Sequence, residues 1–421
     1  MRVAIIGSGI SGLTAAWRLH QRHKVVVFEA NDYIGGHTNT VDVEVEQQHF
    51  AIDTGFIVFN DRTYPQFTRL LEQLDVDAVA TPMSFSVRSD EHNLEYNGSS
   101  LPGLFAQRRN LLRPSFYRMI TDILRFNRTA TELLDDPNRN VTVGEYLRTE
   151  GYSRQFADHY LLPMGASIWS CPTKTFAAFP MQFIVEFYHN HGLLSLRDRP
   201  TWFVIKGGSR EYVRPLVRGF REQIRLNTPV RSVERFDEHV EVRTADSSEQ
   251  FDEVIFACHS DQALRILGWN ATAVEKELLG SFPYEANTAV LHTDESVLPR
   301  RRNAWASWNY HIPRGMNDQA TLTYNMNILQ HVDSDHTFCV TLNEGSAIRD
   351  DRVLASFRYS HPIFTLERKA AQNRHSEVIR NNRTSFCGAY WGNGFHEDGV
   401  RSANAVADAF ESQAAEAQQH A

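Results

Sequence analysis

A glycine-rich turn directly after the first apolar run constrains the fold of this chain more than any other feature. Val3–Ile6 predicts a short buried strand, the next six residues follow the spacing G-x-G-x-x-G, and an Ala- and Leu-rich segment then predicts a helix. In a dinucleotide-binding fold the three glycines allow a tight turn, a close approach to a pyrophosphate and close packing of helix on strand. The anion lies at the helix N-terminus, where free N–H groups point at it. The pattern therefore predicts cofactor contacts from Gly7, Gly9, Ile10, Ser11 and Gly12.

A second apolar run supports this prediction. Lys24–Phe28 reads as a strand and ends in Glu29. An acidic residue ~20 positions after the glycines is the usual partner of a ribose hydroxyl in this fold. We therefore expect Glu29 and the adjacent Ala30 to contact the nucleoside, and we predict an α/β fold with a Rossmann-type domain.

Three later blocks extend the pattern along the chain. The first runs through Gly35, Gly36, His37 and Thr38 to the turn at Gly55 and Phe56; the second contains Lys206-Gly-Gly-Ser and Pro229-Val230; the third covers residues 386–400 and precedes a helix rich in small residues. Together the four blocks resemble the superfamily of flavin-containing amine oxidases, protoporphyrinogen oxidases and phytoene desaturases. The chain is most similar to a bacterial branch of NAD/FAD-binding oxidoreductases that is often associated with cyclopropane-fatty-acid-synthase-like enzymes.

The resemblance implies noncovalent FAD, because the family's covalent flavin cysteine has no convincing match. It places Val230 at the adenine and the carboxy-terminal helix at the edge of the isoalloxazine, where a helix N-terminus suits the charge of reduced flavin. His37 is a departure, since the family usually has arginine there. The further cofactor residues that the resemblance implies are Gly36, His37, Thr38, Gly55, Phe56, Gly388, His396 and Glu397.

The blocks also predict how the chain divides. We expect a discontinuous FAD-binding domain from residues 1–60, 205–270 and 380–421. The inserted substrate domain would consist of a mainly helical part, 61–204, and a sheet part, 271–379. The fold is then α+β overall.

Composition excludes several classes of protein. With a net charge of -8 the chain has no basic surplus for nucleic acid. The four cysteines are widely spaced, which predicts free thiols in a reducing compartment. No secretory signal precedes the first strand and no apolar run suits a spanning helix, so we expect a cytoplasmic protein. His189 and His191 lack accompanying metal ligands; we interpret them as surface histidines and predict no metal site.

The class of reaction is predicted from the other motifs in the sequence and from the residues expected near the flavin. The chain contains no second G-x-G-x-x-G fingerprint, so electrons should come from an organic substrate rather than from NAD(P)H. An amine oxidase of this family has a lysine near the flavin, but Tyr284–His292 contains none, and Phe395 stands where a cage tyrosine is usual. We favour a desaturase or dehydrogenase of a lipid or fatty-acyl compound. An amine oxidase and a non-catalytic flavin-binding protein remain alternatives.

Two regions bear on the substrate. We expect Trp169, Tyr324, His361 and Phe395 to line an apolar pocket without a carboxylate that could hold an ammonium group. In residues 104–128 arginines interleave with large apolar side chains. This pattern is typical either of a cap helix with a solvated face or of peripheral contact with an anionic membrane. No residue is assigned as the catalytic acid or base.

Overall fold

The computed structural model describes residues 1–135, 140–195, 197, 199–315, 321–343, 347–365 and 367–419. In chain order the strands are β1 (Arg2–Ile6), β2 (Lys24–Phe28), β3 (Thr40–Val45), β4 (Gln48–Asp53), β5 (Phe59–Asn60), β6 (Ala78–Ala80), β7 (Phe85–Ser89), β8 (Leu94–Asn97), β9 (Trp202–Ile205), β10 (Ile224–Arg225), β11 (Ser232–Arg235), β12 (Val240–Arg243), β13 (Ser248–Phe251), β14 (Glu253–Phe256), β15 (Tyr284–His292), β16 (Trp308–Ile312), β17 (Leu322–Asn325), β18 (Cys339–Leu342), β19 (Val353–Pro362) and β20 (Thr384–Phe386).

The helices are α1 (Ile10–Leu19), α2 (Pro65–Gln73), α3 (Leu101–Leu104), α4 (Pro114–Thr129), α5 (Val143–Thr149), α6 (Arg154–Phe156), α7 (Leu162–Trp169), α8 (Thr173–Ala177), α9 (Met181–Asn190), α10 (Arg210–Leu216), α11 (Ser260–Leu267), α12 (Ala273–Gly280), α13 (Met326–Leu329), α14 (Arg368–Gln372) and α15 (His396–Gln419). A π-helical turn, Ala157–Leu161, joins α6 to α7.

A parallel sheet with the order β10-β2-β1-β14-β20 forms the nucleotide-binding part. Its central strand β1 is buried over Val3–Ile6, because helices or strands cover both faces. Helices α1 and α15 pack together on one side, where Leu13, Ala16 and Val406 are buried. The chain thus has the predicted α/β fold, and this sheet takes strands from all three predicted segments of the FAD-binding domain. The domain boundaries themselves stay a prediction.

A second sheet lies in the rest of the chain. Its order is β19-β15-β18-β17-β16-β7-β8, antiparallel except between β16 and β7. It therefore combines strands of the predicted sheet part with two strands from the predicted helical part.

Residues 61–204, predicted to be mainly helical, contain the helices α2 to α9 and also short strands. Strands β6, β7 and β8 and the start of β9 lie within this range. β7 and β8 form a hairpin, and β7 pairs with β16 more than 200 residues later, Trp308 opposite Phe85. A partner so distant in sequence leaves no mark on local periodicity, so the sequence did not indicate these strands.

Residues 104–128 do not form one helix. A 3-10 turn, Arg108–Leu112, is followed by α4, which begins at Pro114. Proline is well suited to the first position of a helix because its missing N–H is not needed there. The break leaves Leu111 and Leu112 exposed on the turn rather than on a continuous helix face.

Candidate cofactor and substrate site

A continuous cavity of about 1430 Å³ joins the glycine-rich turn to the helical part of the chain. At one end it is lined by the loop between β1 and α1 and by the carboxyl end of β2; at the other end it is lined by α4, α7 and α9. Sites for single small ligands have volumes of ~300–1,000 Å³. This cavity is therefore large enough for a cofactor and a substrate together.

The glycines of the first turn differ in what surrounds them. A Cβ atom on Gly12 would lie 2.0 Å from the Gly7 carbonyl oxygen, so this glycine serves the packing of α1 against the turn. A Cβ atom on Gly9 would meet nothing within 4 Å, because Gly9 faces the cavity. The space in front of Gly9, next to the N-terminus of α1, is the place that the fingerprint assigns to a pyrophosphate.

Glu29 is buried at the end of β2 and faces the cavity. One carboxylate oxygen accepts the Ser8 N–H at 2.9 Å and the Ser8 hydroxyl at 2.6 Å, and the other accepts the Asn31 N–H at 2.9 Å. These bonds fix the carboxylate beside the glycine-rich turn. Ser8 was not among the predicted site residues, although its position inside the fingerprint was a signal for it.

The cavity also places the other predicted nucleotide contacts. Those that line it are Gly7, Gly9, Ile10, Ser11, Glu29, Ala30, Gly36, His37, Gly55, Phe56, Val230, Gly388 and His396. Gly12, Thr38 and Glu397 do not line it, and this differs from the prediction. Gly12 is used for packing, as described above, and the other two have partners elsewhere.

The Thr38 hydroxyl points to the core between α10 and α15. It bonds to the Tyr212 hydroxyl and, at 3.0 Å, to Nε2 of His396. The His396 ring stacks on Phe56, with 3.5 Å between the ring centroids. Burial lowers the pKa of His396 to about 3, so the ring is neutral and holds the start of α15 against the cavity wall.

Glu397 is turned toward α2 instead of the cavity. Its carboxylate accepts the backbone N–H groups of Gln66, at 3.0 Å, and Phe67, at 2.9 Å. These are free donors in the first turn of α2. Burial raises the pKa of Glu397, and the two N–H groups oppose that shift. The side chain thus caps a neighbouring helix.

His37 lies in a group of imidazoles at the nucleotide end. Its ring centroid is 5.4 Å from that of His361, 5.9 Å from that of His259 and 5.0 Å from that of Tyr359. Burial, followed by the neighbouring histidines, lowers the pKa of His37 well below its usual range. Its buried Nε2 has no hydrogen-bond partner among the described residues. An anion in the cavity would supply that partner.

The far end of the cavity is aromatic and aliphatic. Trp169 contacts Phe187, with ring centroids 4.8 Å apart, and Phe187 stacks on Phe395 at 5.5 Å. Tyr324 packs edge-on against Trp308 at 5.2 Å. Aliphatic side chains complete this end: Met83, Leu101, Leu104, Ile120, Ile123, Leu124, Met164, Ile168 and Leu193.

All four predicted substrate residues line the cavity, but they do not form one cluster. Trp169, Tyr324 and Phe395 belong to the aromatic end. His361 lies beside His37, and its Nδ1 is 3.0 Å from Nδ2 of Asn287. Its strand, β19, carries it to the nucleotide side of the cavity, which the sequence position alone could not indicate.

The interpretation of His191 as a surface residue was wrong. The side chain is buried, stacks on Phe187 with centroids 3.7 Å apart, and lines the cavity. Nδ1 bonds to the Phe187 carbonyl at 2.9 Å and Nε2 to the Thr63 hydroxyl at 3.1 Å. Its neighbour His189 is exposed. Among the residues that the structure describes, no group of three or more His, Cys, Asp or Glu side chains is arranged to hold a metal ion.

Charged side chains are few along the described lining. Glu29 is its sole carboxylate, and the cations are four arginines: Arg199, Arg231, Arg265 and Arg358. The four cysteines form no disulfide, and Cys258 is the one that lines the cavity. Burial raises the pKa of Cys258 to about 12, so its thiol is protonated at neutral pH. No helix in the described part of the chain has the length and hydropathy needed to cross a bilayer.

These residues fit FAD. At one end, the open space at Gly9 and the N-terminus of α1 suit a pyrophosphate. The fixed carboxylate of Glu29 suits a ribose hydroxyl, and Nε2 of His37 has no partner among the described residues and can bond to the dinucleotide. His396, at the start of α15, also lines the cavity and directly follows Phe395 of the aromatic end. The fold and the site define a flavoprotein with a dinucleotide-binding sheet and an inserted substrate domain.

The family model described as flavin containing amine oxidoreductase matches residues 10–298. The chain belongs to this family, and it is a flavin-dependent oxidoreductase whose cofactor is noncovalent FAD. The resemblance seen in the four sequence blocks is thereby confirmed.

Solved structures with the same fold cover almost the whole chain. A putrescine oxidase bound to putrescine has a TM-score of 0.66 at 14% identity, covering 98% of this chain and 99% of its own. Cyclohexylamine oxidase from Brevibacterium oxydans IH-35A has a TM-score of 0.65 at 16% identity, covering 97% and 99%. A fatty acid isomerase from P. acnes that produces CLA has a TM-score of 0.65 at 12% identity, covering 97% and 98%.

Sequence relatives match only a short part of the chain. A probable flavin-containing monooxygenase of Arabidopsis thaliana is 38% identical over 81 residues, which are 18% of this chain and 15% of the relative. A 4,4'-diapophytoene desaturase of Staphylococcus aureus is 39% identical over 56 residues, 13% of this chain and 10% of the relative. The chain thus aligns with less than a fifth of either relative.

Proposed function

We propose that this chain is an FAD-dependent oxidoreductase that removes a hydride from an apolar substrate, a lipid or fatty-acyl compound, as a desaturase or dehydrogenase does. The observation that carries the proposal is the character of the cavity. Apart from the nucleotide end, its described lining is mainly aromatic and aliphatic and has no carboxylate, because Glu29 belongs to the nucleotide end. An alkylammonium group would therefore find aromatic faces but no acidic partner there, whereas an apolar chain finds a matching surface.

Bound flavin supplies the hydride acceptor. The side chains of this chain orient the substrate and exclude water. Trp169, Phe187 and Phe395 form a packed aromatic wall that confines an apolar group on one side. His396 is neutral and bonded to Thr38 and Tyr212, so it positions the wall of the cavity and does not exchange a proton at neutral pH.

Two of the relatives support a lipid-like substrate by their names, a diapophytoene desaturase and a fatty acid isomerase. The family description, and the putrescine and cyclohexylamine oxidases among the similar structures, favour an amine oxidase as the second candidate. The aromatic pair Phe187 and Phe395 would then flank the amine.

We propose in addition that the protein contacts anionic membranes peripherally through the segment 104–128. This segment carries arginines at positions 108, 109, 113, 118, 125 and 128 and one acidic residue, Asp122. Leu111 is 49% exposed and Leu112 is 87% exposed. Leu101 and Leu124 are exposed and also line the cavity, so the cavity opens at this surface. Exposed apolar side chains framed by cations suit an anionic lipid surface.

The test of the proposed reaction is anaerobic mixing of the yellow holoenzyme with candidate substrates while the flavin absorbance is followed. Bleaching by long-chain acyl or unsaturated lipids, with none by short amines, is the expected result. Bleaching by amines alone would establish the amine oxidase instead. If neither class bleaches or perturbs the flavin, a non-catalytic flavin-binding role becomes the better interpretation.

A further inference from the structure

One arginine lines the apolar end of the cavity without an acidic partner among the residues that the structure describes. Arg199 lines the cavity together with His191, Trp202 and Tyr160. It belongs to the loop that packs on the end of α9, since a Cβ atom on Gly192 would lie 3.4 Å from the Arg199 Cα. Arg199 is exposed and also lines the cavity, so it stands where the cavity meets the solvent.

The guanidinium of Arg199 has unused donors. Its Nε bonds to the Ser195 carbonyl at 2.7 Å. Within the described part of the chain its two terminal nitrogens have neither a hydrogen bond nor an ion pair to a carboxylate. A guanidinium offers a fork of donors that matches a carboxylate or phosphate group.

A second polar group lines the same cavity. Tyr160, in the π-helical turn, faces the cavity, and its hydroxyl makes no hydrogen bond to the described residues. Burial raises the pKa of Tyr160 to about 12, and the positive charge of Arg199 acts in the opposite direction, which places the two groups within electrostatic reach of each other. A neutral phenol can donate a hydrogen bond to the same anion.

The other arginines of the lining belong to the nucleotide end by their neighbours. Arg231 follows Val230, Arg265 lies on α11 after His259, and Arg358 precedes Tyr359, which contacts His37. Among the described lining residues, Arg199 is thus the charged residue at the aromatic and aliphatic end of the cavity, here called the chamber, which includes Trp169 and Phe187.

We propose that the substrate of this chamber is a long-chain amphiphile with an anionic oxygen head, and that the head is bound by the Arg199 guanidinium and the Tyr160 hydroxyl. This inference rests on the proposed apolar substrate and adds its polar end. The chain of the ligand extends among Trp169, Phe187 and the aliphatic side chains. The head group holds it in one direction, which sets the carbon that reaches the flavin. A free carboxylate and a phosphate monoester share the required chemistry.

The experiment measures ligand binding to the FAD-loaded protein through the fluorescence of the lining tryptophans and the flavin absorbance. The probes are oleate, 1-oleoyl lysophosphatidate, oleyl alcohol and methyl oleate, the two anions below their micelle concentrations and the two neutral compounds below their solubility limits. We expect one or both anionic probes to bind at least ~tenfold tighter than the alcohol and the ester, since a charge-assisted hydrogen bond is lost with either neutral head. The tighter of the two anions identifies the head group.

Variants separate the head site from the rest of the chamber. Arg199→Gln should weaken the binding of the preferred anion ~tenfold and leave oleyl alcohol unchanged, and Tyr160→Phe should have a smaller effect in the same direction. Arg197→Gln is the matched control, because Arg197 is, like Arg199, an exposed arginine of the same loop but does not line the cavity.

Equal affinity for oleate, lysophosphatidate and oleyl alcohol would overturn the proposal, as would an equal loss for charged and neutral probes in Arg199→Gln. In both cases an apolar substrate would still be supported. If none of the four probes bound, the apolar substrate itself would be rejected, so the two failures are distinguishable.

Discussion

At the scale of single residues, the site depends on a few positions whose surroundings differ sharply. Gly9 and Gly12 belong to one motif, yet the first faces open space and the second touches backbone. Gly9 has φ -68° and ψ 176°, values that any residue adopts. The requirement for glycine at position 9 thus comes from the cofactor and not from the fold.

We therefore expect Gly9→Leu to fold normally and to lose FAD. The added side chain would fill the space of the pyrophosphate without meeting protein atoms. The measurement is the ratio of flavin to protein absorbance after purification, with a thermal unfolding curve. Gly12→Leu is the contrasting variant: its side chain would collide with the Gly7 carbonyl and reduce stability as well. Undiminished flavin in Gly9→Leu would disprove the placement of the pyrophosphate.

Asp53 is a second residue whose environment is measurable. It is fully buried and accepts hydrogen bonds from the Thr40 hydroxyl, the Ser209 N–H and hydroxyl, and the Gln330 amide. Burial raises its pKa to about 6, although these donors oppose the shift. The folded state therefore binds a proton over a range in which the unfolded chain has already released it.

The free energy of unfolding should therefore decrease as the pH rises from about 4 to about 6. Asp53 alone accounts for a decrease of roughly 3 kcal/mol. Asp53→Asn cannot ionise, so its free energy of unfolding should decrease less over that window. Urea unfolding at several pH values measures the difference between the two slopes. Asp42→Asn is the control, because this carboxylate of the same hairpin is exposed and its pKa is lowered by Arg210. Parallel curves for Asp53→Asn and the natural chain would contradict the assignment.

At the scale of elements, the turn Arg108–Leu112 and helix α4 decide how the cavity meets the surface. α4 buries Phe116, Met119 and Phe126 and turns Ile120 and Leu124 toward the cavity. The Asp122 carboxylate lies on the buried face, where the Ser153 N–H donates to it at 3.0 Å and two arginines neighbour it at 3.5 Å. The acidic residue is thus withdrawn from the surface, and the basic and apolar side chains remain outside.

If this surface contacts membranes, the natural protein should bind vesicles that contain phosphatidylglycerol and bind neutral vesicles much more weakly. Leu112→Asp should reduce the binding to anionic vesicles ~tenfold or more, since an inserted leucine contributes ~1.5–3 kcal/mol. Co-sedimentation with vesicles measures this. Trp269→Asp serves as control, because Trp269 is 84% exposed and lies outside the segment. Equal binding of the two variants would rule out the segment as the contact.

At the scale of the whole molecule, the sequence has one dinucleotide-binding fingerprint, and a large cavity includes it. The cofactor and the substrate share that cavity, with the nucleotide at one end and the aromatic chamber at the other. The sequence contains no second fingerprint that could bind a nicotinamide nucleotide.

Consequently NADH and NADPH should reduce the flavin slowly or not at all under anaerobic conditions, whereas the organic substrate should reduce it within the turnover time. Stopped-flow absorbance of the flavin distinguishes these cases, with dithionite as the control for complete reduction. Rapid bleaching by either nucleotide at micromolar concentration would show that electrons enter by another route.

The sequence by itself determined the nucleotide end of this protein. The β1 strand, the glycine spacing and Glu29 are local patterns, and the chemistry of a pyrophosphate and a ribose requires those residue types at those intervals. For the substrate end, the sequence predicted the aromatic residues Trp169 and Phe395 but did not predict which residues surround them.

Only the tertiary structure decided where the remaining side chains point. Thr38 and Glu397 lie in cofactor motifs, yet their side chains bond to α10 and α2, because partners brought by distant segments compete for them. His191 is buried since α9 packs it on Phe395, some 200 residues later. Contacts between segments far apart in sequence follow from tertiary packing, and the local pattern around a residue does not specify its distant partner.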